Sequence, residues 1–115
     1  MTESAIEKAR KHFADKLTGE LQKIHVAEWD MDVYYKTINS FAIESKIIEL
    51  TQKGKITEAL IETLIQKALD KNGKPLFTKY DKTTFINEVD PTVITRVVTQ
   101  INATDVVDFE AVSKN

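Results

Sequence analysis

The sequence predicts an α+β fold: a mostly α-helical single domain with one small β-hairpin in its N-terminal half. Three observations carry this. Apolar residues recur at helical spacing in the first segment and through the second half of the chain. From Trp29 to Tyr35 they alternate strictly, which is the period of a half-buried strand. The breaks between these stretches hold residues that end or cap regular structure.

The first segment sets Ile6, Ala9, Phe13 and Leu17 at spacings of three, four and four, the stripe of an amphipathic helix, with Gly19 as its stop. Next come Ile24, Val26, Trp29, Met31, Val33 and Tyr35, predicting an antiparallel hairpin over 22–28 and 31–37. Alternation puts Trp29, Met31, Val33 and Tyr35 on one face and turns Tyr34 the other way. Asn39 or Ser40 can cap a second helix carrying Phe41, Ile43, Ile47, Ile48 and Leu50, which Gly54 interrupts. A third helix is marked by Ile61, Leu64, Ile65, Ala68 and Leu69 at i, i+3, i+4, i+7 and i+8.

Between this helix and the next lies the connector Asp70–Asp81. Gly73 can take positive φ, and Pro75 lacks an N–H and biases Lys74 away from helix. Leu76 and Phe77 return the chain to an apolar surface. Thr78 can cap a new helix, although Asp81 is one methylene shorter than the usual capping-box acid. A short helix with Tyr80, Phe85, Ile86 and Val89 follows. Asp90 as cap and Pro91 at the first helical position then start a last helix bearing Val93, Ile94, Val97, Val98 and Ile101. Its β-branched residues weaken helix propensity, so packing must stabilise it. The helical domain is read as residues 1–102, and 103–115 as an acidic, flexible tail.

At 115 residues, 42% apolar and 30% charged, the chain fits one globular domain. It has no cysteine, so disulfides, thiolate nucleophiles and Cys-based metal sites are excluded. Asp105, Asp108 and Glu110 against Lys114 account for the whole net charge of −2, leaving a neutral body. Nucleic-acid surfaces need clustered positive charge, so no nucleic-acid partner is expected. Nothing is apolar for eighteen residues, and the N-terminus does not read as a signal peptide, so no membrane is expected and the default compartment is the cytoplasm.

Candidate chemistry is sparse. Asp70 and Asp81 fall at positions 1 and 12 of a calcium-type loop, but Gly73 is at position 4, Lys74 at 5 and Pro75 at 6, where an EF-hand needs a ligand at 5 and Gly at 6. His12 and His25 lie in different elements with no third ligand spaced to join them. Glu28, Asp30 and Asp32 read as solvated acids flanking a turn. A helix-turn-helix reader would have Arg96 and Gln100 as its base-reading side chains, with Glu88 and Asp90 where phosphates should lie. No catalytic, cofactor-binding or metal-binding residue is assigned, and no cofactor is expected. Trp29 and Tyr34 on the hairpin, and Val106, Val107 and Phe109 in the tail, are the candidate protein-interaction residues. Asp70, Gly73, Pro75, Phe77, Thr78, Asp81, Asp90 and Pro91 are structural.

Three segments in order carry a resemblance: Val26 to Lys36 with its Glu28-Trp29 opening, Ala68 to Asp81, and Val89 to Val98. Over roughly residues 24–102 the chain resembles the tail assembly chaperones of long-tailed, siphovirus-like bacteriophages. It departs from them at Tyr35-Lys36, where an Arg often sits, and at Glu44-Ser45, where Glu-Arg is frequent. The resemblance implies a non-enzymatic protein that binds the tape measure protein and keeps it soluble until tail-tube subunits replace the chaperone. It also implies self-association into an oligomer, the tail-tube protein as a further partner, and residence in the host cell cytoplasm rather than the mature virion. The alternative from the residues alone is a small cytoplasmic helical DNA-binding regulator or a protein-interaction adaptor.

Overall fold

The computed structural model describes residues 4–113, with side chains through Ala103. The order is α1 (Ala5–Leu17), β1 (Gln22–Val26), β2 (Met31–Tyr35), α2 (Phe41–Gln52), α3 (Ile56–Lys67), α4 (Lys82–Glu88) and α5 (Pro91–Ser113), with single 3-10 turns at Ala27–Trp29 and Lys79–Asp81. This is the expected α+β fold, mostly helical with one antiparallel hairpin.

Local chemistry sets most boundaries. Ser4 Oγ accepts from the Glu7 N–H at 3.2 Å, and Ser40 Oγ from the Ile43 N–H at 3.4 Å, so each hydroxyl satisfies a donor that its helix leaves free. Asp90 Oδ1 accepts from the Thr92 N–H at 2.9 Å and starts α5 with Pro91 in the first position. At Thr78 the box closes in both directions despite the shorter acid. Tyr80 N–H donates to Thr78 Oγ1, and Asp81 Oδ2 accepts from the Thr78 N–H at 2.8 Å. The tighter 3-10 turn brings the carboxylate within reach without the extra methylene.

The hairpin pairs Gln22 with Tyr35, Ile24 with Val33 and Val26 with Met31. It is shorter than the predicted 22–28 and 31–37, because Ala27–Trp29 coil into a 3-10 turn and Asp30 takes a left-handed φ of 50°. A short polar side chain tolerates that conformation better than most. Trp29 therefore sits in the turn, while Met31, Val33 and Tyr35 keep the predicted alternation.

A second correction concerns the end of α3. Leu69, which the helical spacing includes, is not helical. The helix ends at Lys67, Ala68 turns extended, and Leu69 exchanges both backbone hydrogen bonds with Tyr34, at 2.9 and 2.8 Å. Leu69 also bridges to Pro75 on its other side, and the Leu76 N–H returns to Ala68 O. Leu69, just ahead of the connector, is thus a third, one-residue rung on the hairpin. Inside the connector the Asp70 carboxylate accepts from the Asn72 and Lys74 N–H groups at 2.8 and 3.0 Å, and Gly73 takes φ 82°. Those donors, Lys74 foremost, hold the Asp70 carboxyl below its usual pKa.

One core joins these pieces. Ile24, Val26, Val33 and Tyr35 from the hairpin meet Ile61 and Leu64 of α3, Phe85 of α4, and Val93, Ile94, Val97, Val98 and Ile101 of α5. The β-branched stripe of α5 is buried throughout, which supplies the stability its propensity lacks. Helical backbone continues past residue 102, where the sequence reading ends the domain, to Ser113.

A charged clamp ties the hairpin turn to α5. Arg96 Nη1 donates to Glu28 Oε2 at 2.8 Å and Nη2 to Oε1 at 2.5 Å, a bidentate pair. The guanidinium hydrogen bonds pull the Glu28 pKa from 4.5 down to about 2. Because the folded value is depressed, the clamp's stabilisation is present above pH 4.5 and is lost as pH falls towards about 2.

Three outcomes are expected. Glu28→Gln lowers the urea midpoint at pH 7, and its curve converges with that of the unaltered chain near pH 2. Leu64→Ala, at a fully buried position, costs about 2–5 kcal/mol in chemical denaturation. Ile6→Ala, at a position 67% exposed, changes stability by less than about 0.5 kcal/mol in the same measurement.

Candidate functional site

Neither hairpin residue singled out by the sequence forms an open recognition patch. Trp29 is half-buried and meets the Phe77 ring edge-on, centroids 6.1 Å apart. Phe77 in turn meets Phe85 at 4.8 Å, so the three rings run from the hairpin turn through the connector to α4. Tyr34 is half-buried beside the Leu69 rung. The side chains of Val106, Val107 and Phe109 lie outside the described residues. Asp70, Gly73, Thr78 and Asp81 take part in the turns and caps of the connector, Phe77 joins the run of rings, Pro75 bridges to Leu69, and Asp90 and Pro91 open α5.

The three acids of the hairpin do not act as a cluster. Glu28 is held by Arg96, and Asp32 pairs across the strands with His25 Nδ1 at 2.8 Å. Asp30 is exposed at the left-handed turn residue. Among the described residues, no three or more His, Asp or Glu side chains are grouped to hold a metal ion, and no helix is long and apolar enough to cross a membrane.

The surface feature that departs most from a closed core lies between α1 and α2. Core burial on this side is thin: neither helix contributes a fully buried residue. α2 carries apolar residues on two opposite sides. Ile43, Ile47 and Leu50 are half-buried, while Phe41 and Ile48, two turns apart, are 85% and 49% exposed. A helix with apolar residues on both sides has a second surface to cover. On α1, Phe13 and Leu17 are half-buried and Ile6, on the same stripe, is exposed.

Between the two helices runs an open apolar trough of about 530 Å³, lined by Phe13, Ile38, Asn39, Ser40, Phe41, Glu44 and Ile48. A second hollow of about 210 Å³ shares Phe13, Asn39 and Ser40 with it and reaches down to Lys36, Gln66, Lys67 and Leu69. The Asn39 side-chain nitrogen is enclosed here without a hydrogen-bond partner among the described residues. An unpaired buried amide is costly, so it favours a polar group arriving in the trough.

The trough floor is held by a buried charge. The Lys67 side chain is 2% exposed, pairs with the Glu44 carboxylate of α2 at 2.5 Å, and donates to Asn102 Oδ1 of α5 at 3.3 Å. The Glu44 contact is a charge pairing rather than an aligned hydrogen bond, since that oxygen meets no donor in good geometry. Lys46 and Glu62, 3.9 Å apart, add a looser link between α2 and α3. α2 is therefore fastened by charge on its inner side, which leaves its outer apolar ridge facing the trough.

Sequence reasoning placed Phe13, Phe41 and Ile48 in helix stripes without singling them out as surface residues. A signal that could have done so was present: on a helical projection Phe41 and Ile48 fall opposite Ile43, Ile47 and Leu50, more apolar surface than one neighbour can cover. The long-range pairing of Glu44 with Lys67 had no local signal.

Glu44→Gln removes a carboxylate contact of the buried Lys67 ammonium and is expected to lower the urea midpoint in equilibrium unfolding. Searches against family models, curated proteins and solved structures yield no match to this chain.

Proposed function

We propose that the chain is a non-catalytic phage tail assembly chaperone, which binds apolar helical segments of the tape measure protein and keeps them soluble in the host cytoplasm. The observation that carries this reading is the trough between α1 and α2, with Phe41 and Ile48 left exposed on a helix whose other side is already packed. An amphipathic helix laid in an apolar groove is a standard mode of protein recognition, read through anchors at helical spacing. The ordered resemblance of residues 24–102 to tail assembly chaperones names the client.

The same reading brings self-association into an oligomer and later displacement of the chaperone by tail-tube subunits. Repeated copies along a long client would turn modest single-site affinity into firm retention. Against the DNA-binding alternative, Arg96, the chief base-reading candidate, is held in both hydrogen bonds by Glu28. An adaptor for another partner would use the same trough, and the identity of the captured protein separates it from a chaperone.

The test is co-expression with the tape measure protein. Soluble recovery of the client is expected with the unaltered chain, along with a complex that co-purifies. Phe41→Asp and Ile48→Asp should each weaken capture about tenfold or more while circular dichroism and the urea midpoint stay near those of the unaltered chain, because Phe41 is largely and Ile48 about half exposed and neither belongs to the buried core. Failure of the unaltered chain to solubilise or bind the client would count against the chaperone function.

A further inference from the structure

Helix α1 is joined to the rest of the molecule unlike any other element. Only Phe13 and Leu17 of its thirteen residues are even half-buried. Among the described residues, its hydrogen bonds stay within the helix and its flanking residues, and its one ion pair, Arg10 with Glu7, is internal. It connects to β1 through residues 18–21, of which only Leu21 is half-buried, and Gly19 sits just after the cap. The opposite wall is different in kind, since α2 is bound to α3 and α5 through the Lys67 junction.

The two walls nevertheless match. Ile6 and Phe13 on α1 are seven residues apart, as are Phe41 and Ile48 on α2. Each pair spans two helical turns, about 10 Å, along one side of its helix. A third helix bearing apolar residues at the same spacing can mesh with both ridges, whereas an extended strand, rising about 3.3 Å per residue, runs out of step with them.

We propose that α1 is a hinged jaw: it swings on residues 18–21 and closes an apolar-faced client helix against Phe41 and Ile48. This rests on the chaperone reading for the identity of the client, but not for the hinge. Among the described residues, Phe13 and Leu17 are the half-buried side chains that hold the jaw in the free chain, and α1 has no fully buried residue, so it opens without disturbing the core. When a client helix enters, the exposed half of the α1 stripe at Ile6 gains a partner and the jaw becomes ordered. The occupant is thus gripped from two sides, by one fixed wall and one movable wall.

Hydrogen exchange on the free full-length chain reads the hinge without any client. The amides of α1 should exchange at least about 100-fold faster than those of α3, and equal protection would overturn the jaw. In the complex with co-expressed tape measure protein, α1 amides should slow by about tenfold or more while α3 is unchanged. Ile6→Asp, at an exposed position outside the core, should weaken capture about as much as Phe41→Asp. Loss with Phe41→Asp alone keeps the trough as the client site and overturns the jaw. Indifference to both variants overturns the jaw and the proposed site together. If the unaltered chain captures no tape measure protein, the chaperone function and the client's closure of the jaw both fall, while the free-chain exchange still decides the hinge.

Discussion

The arrangement of the molecule depends on finding partners for one buried ammonium group. Lys67 ends α3 with its side chain almost wholly out of water, and a charge in that position is tolerated only when paired. Glu44 supplies the opposite charge from α2 and Asn102 an acceptor from α5, so two consecutive helices and the distant α5 converge on one point. Burying an ion pair adds little net stability over apolar packing. What it adds here is a constraint on α2, because a rotation of that helix about its axis would carry Glu44 away from the ammonium. The orientation of Phe41 and Ile48 is a by-product of that constraint.

Around this junction the molecule divides into a well-packed side and a thinly packed one. The hairpin, α3, α4 and the buried stripe of α5 share a continuous apolar core, reinforced at the edges by the Trp29–Phe77–Phe85 rings and by the Glu28–Arg96 clamp. α1 and α2 cover the remaining side without a fully buried residue. Elements with few buried contacts open at low free-energy cost, and binding surfaces are commonly drawn from them. Stability and recognition are in this way assigned to different faces of one small domain.

Much of the fold was legible in the sequence because its signals are local. Ser40, Thr78 and Asp90-Pro91 announce helix starts by satisfying backbone donors within three residues, and the alternation from Met31 to Tyr35 needs no knowledge of what covers it. The misread positions are those where a distant partner decides. Leu69 fits a helical stripe, yet Tyr34 takes its backbone. The strand period extends through Trp29, yet a 3-10 turn and the left-handed Asp30 end the hairpin ladder first. The candidate site was the least legible part, since periodicity marks a residue as apolar but cannot tell a ridge that meets a neighbour from one that meets solvent.

The rung at Leu69 has a consequence for how length is encoded. No glycine or proline stands directly after α3, and Ala68-Leu69 are good helix formers. The helix stops there because a strand thirty-five residues upstream captures its next amide and carbonyl. Helix length in this protein is therefore partly a property of the hairpin. A change that shifted the register of β2 would be felt as a gained or lost turn of α3, and with it a displaced Lys67. Sheet and helix cannot drift independently here, and evolution at either one is bound to the other.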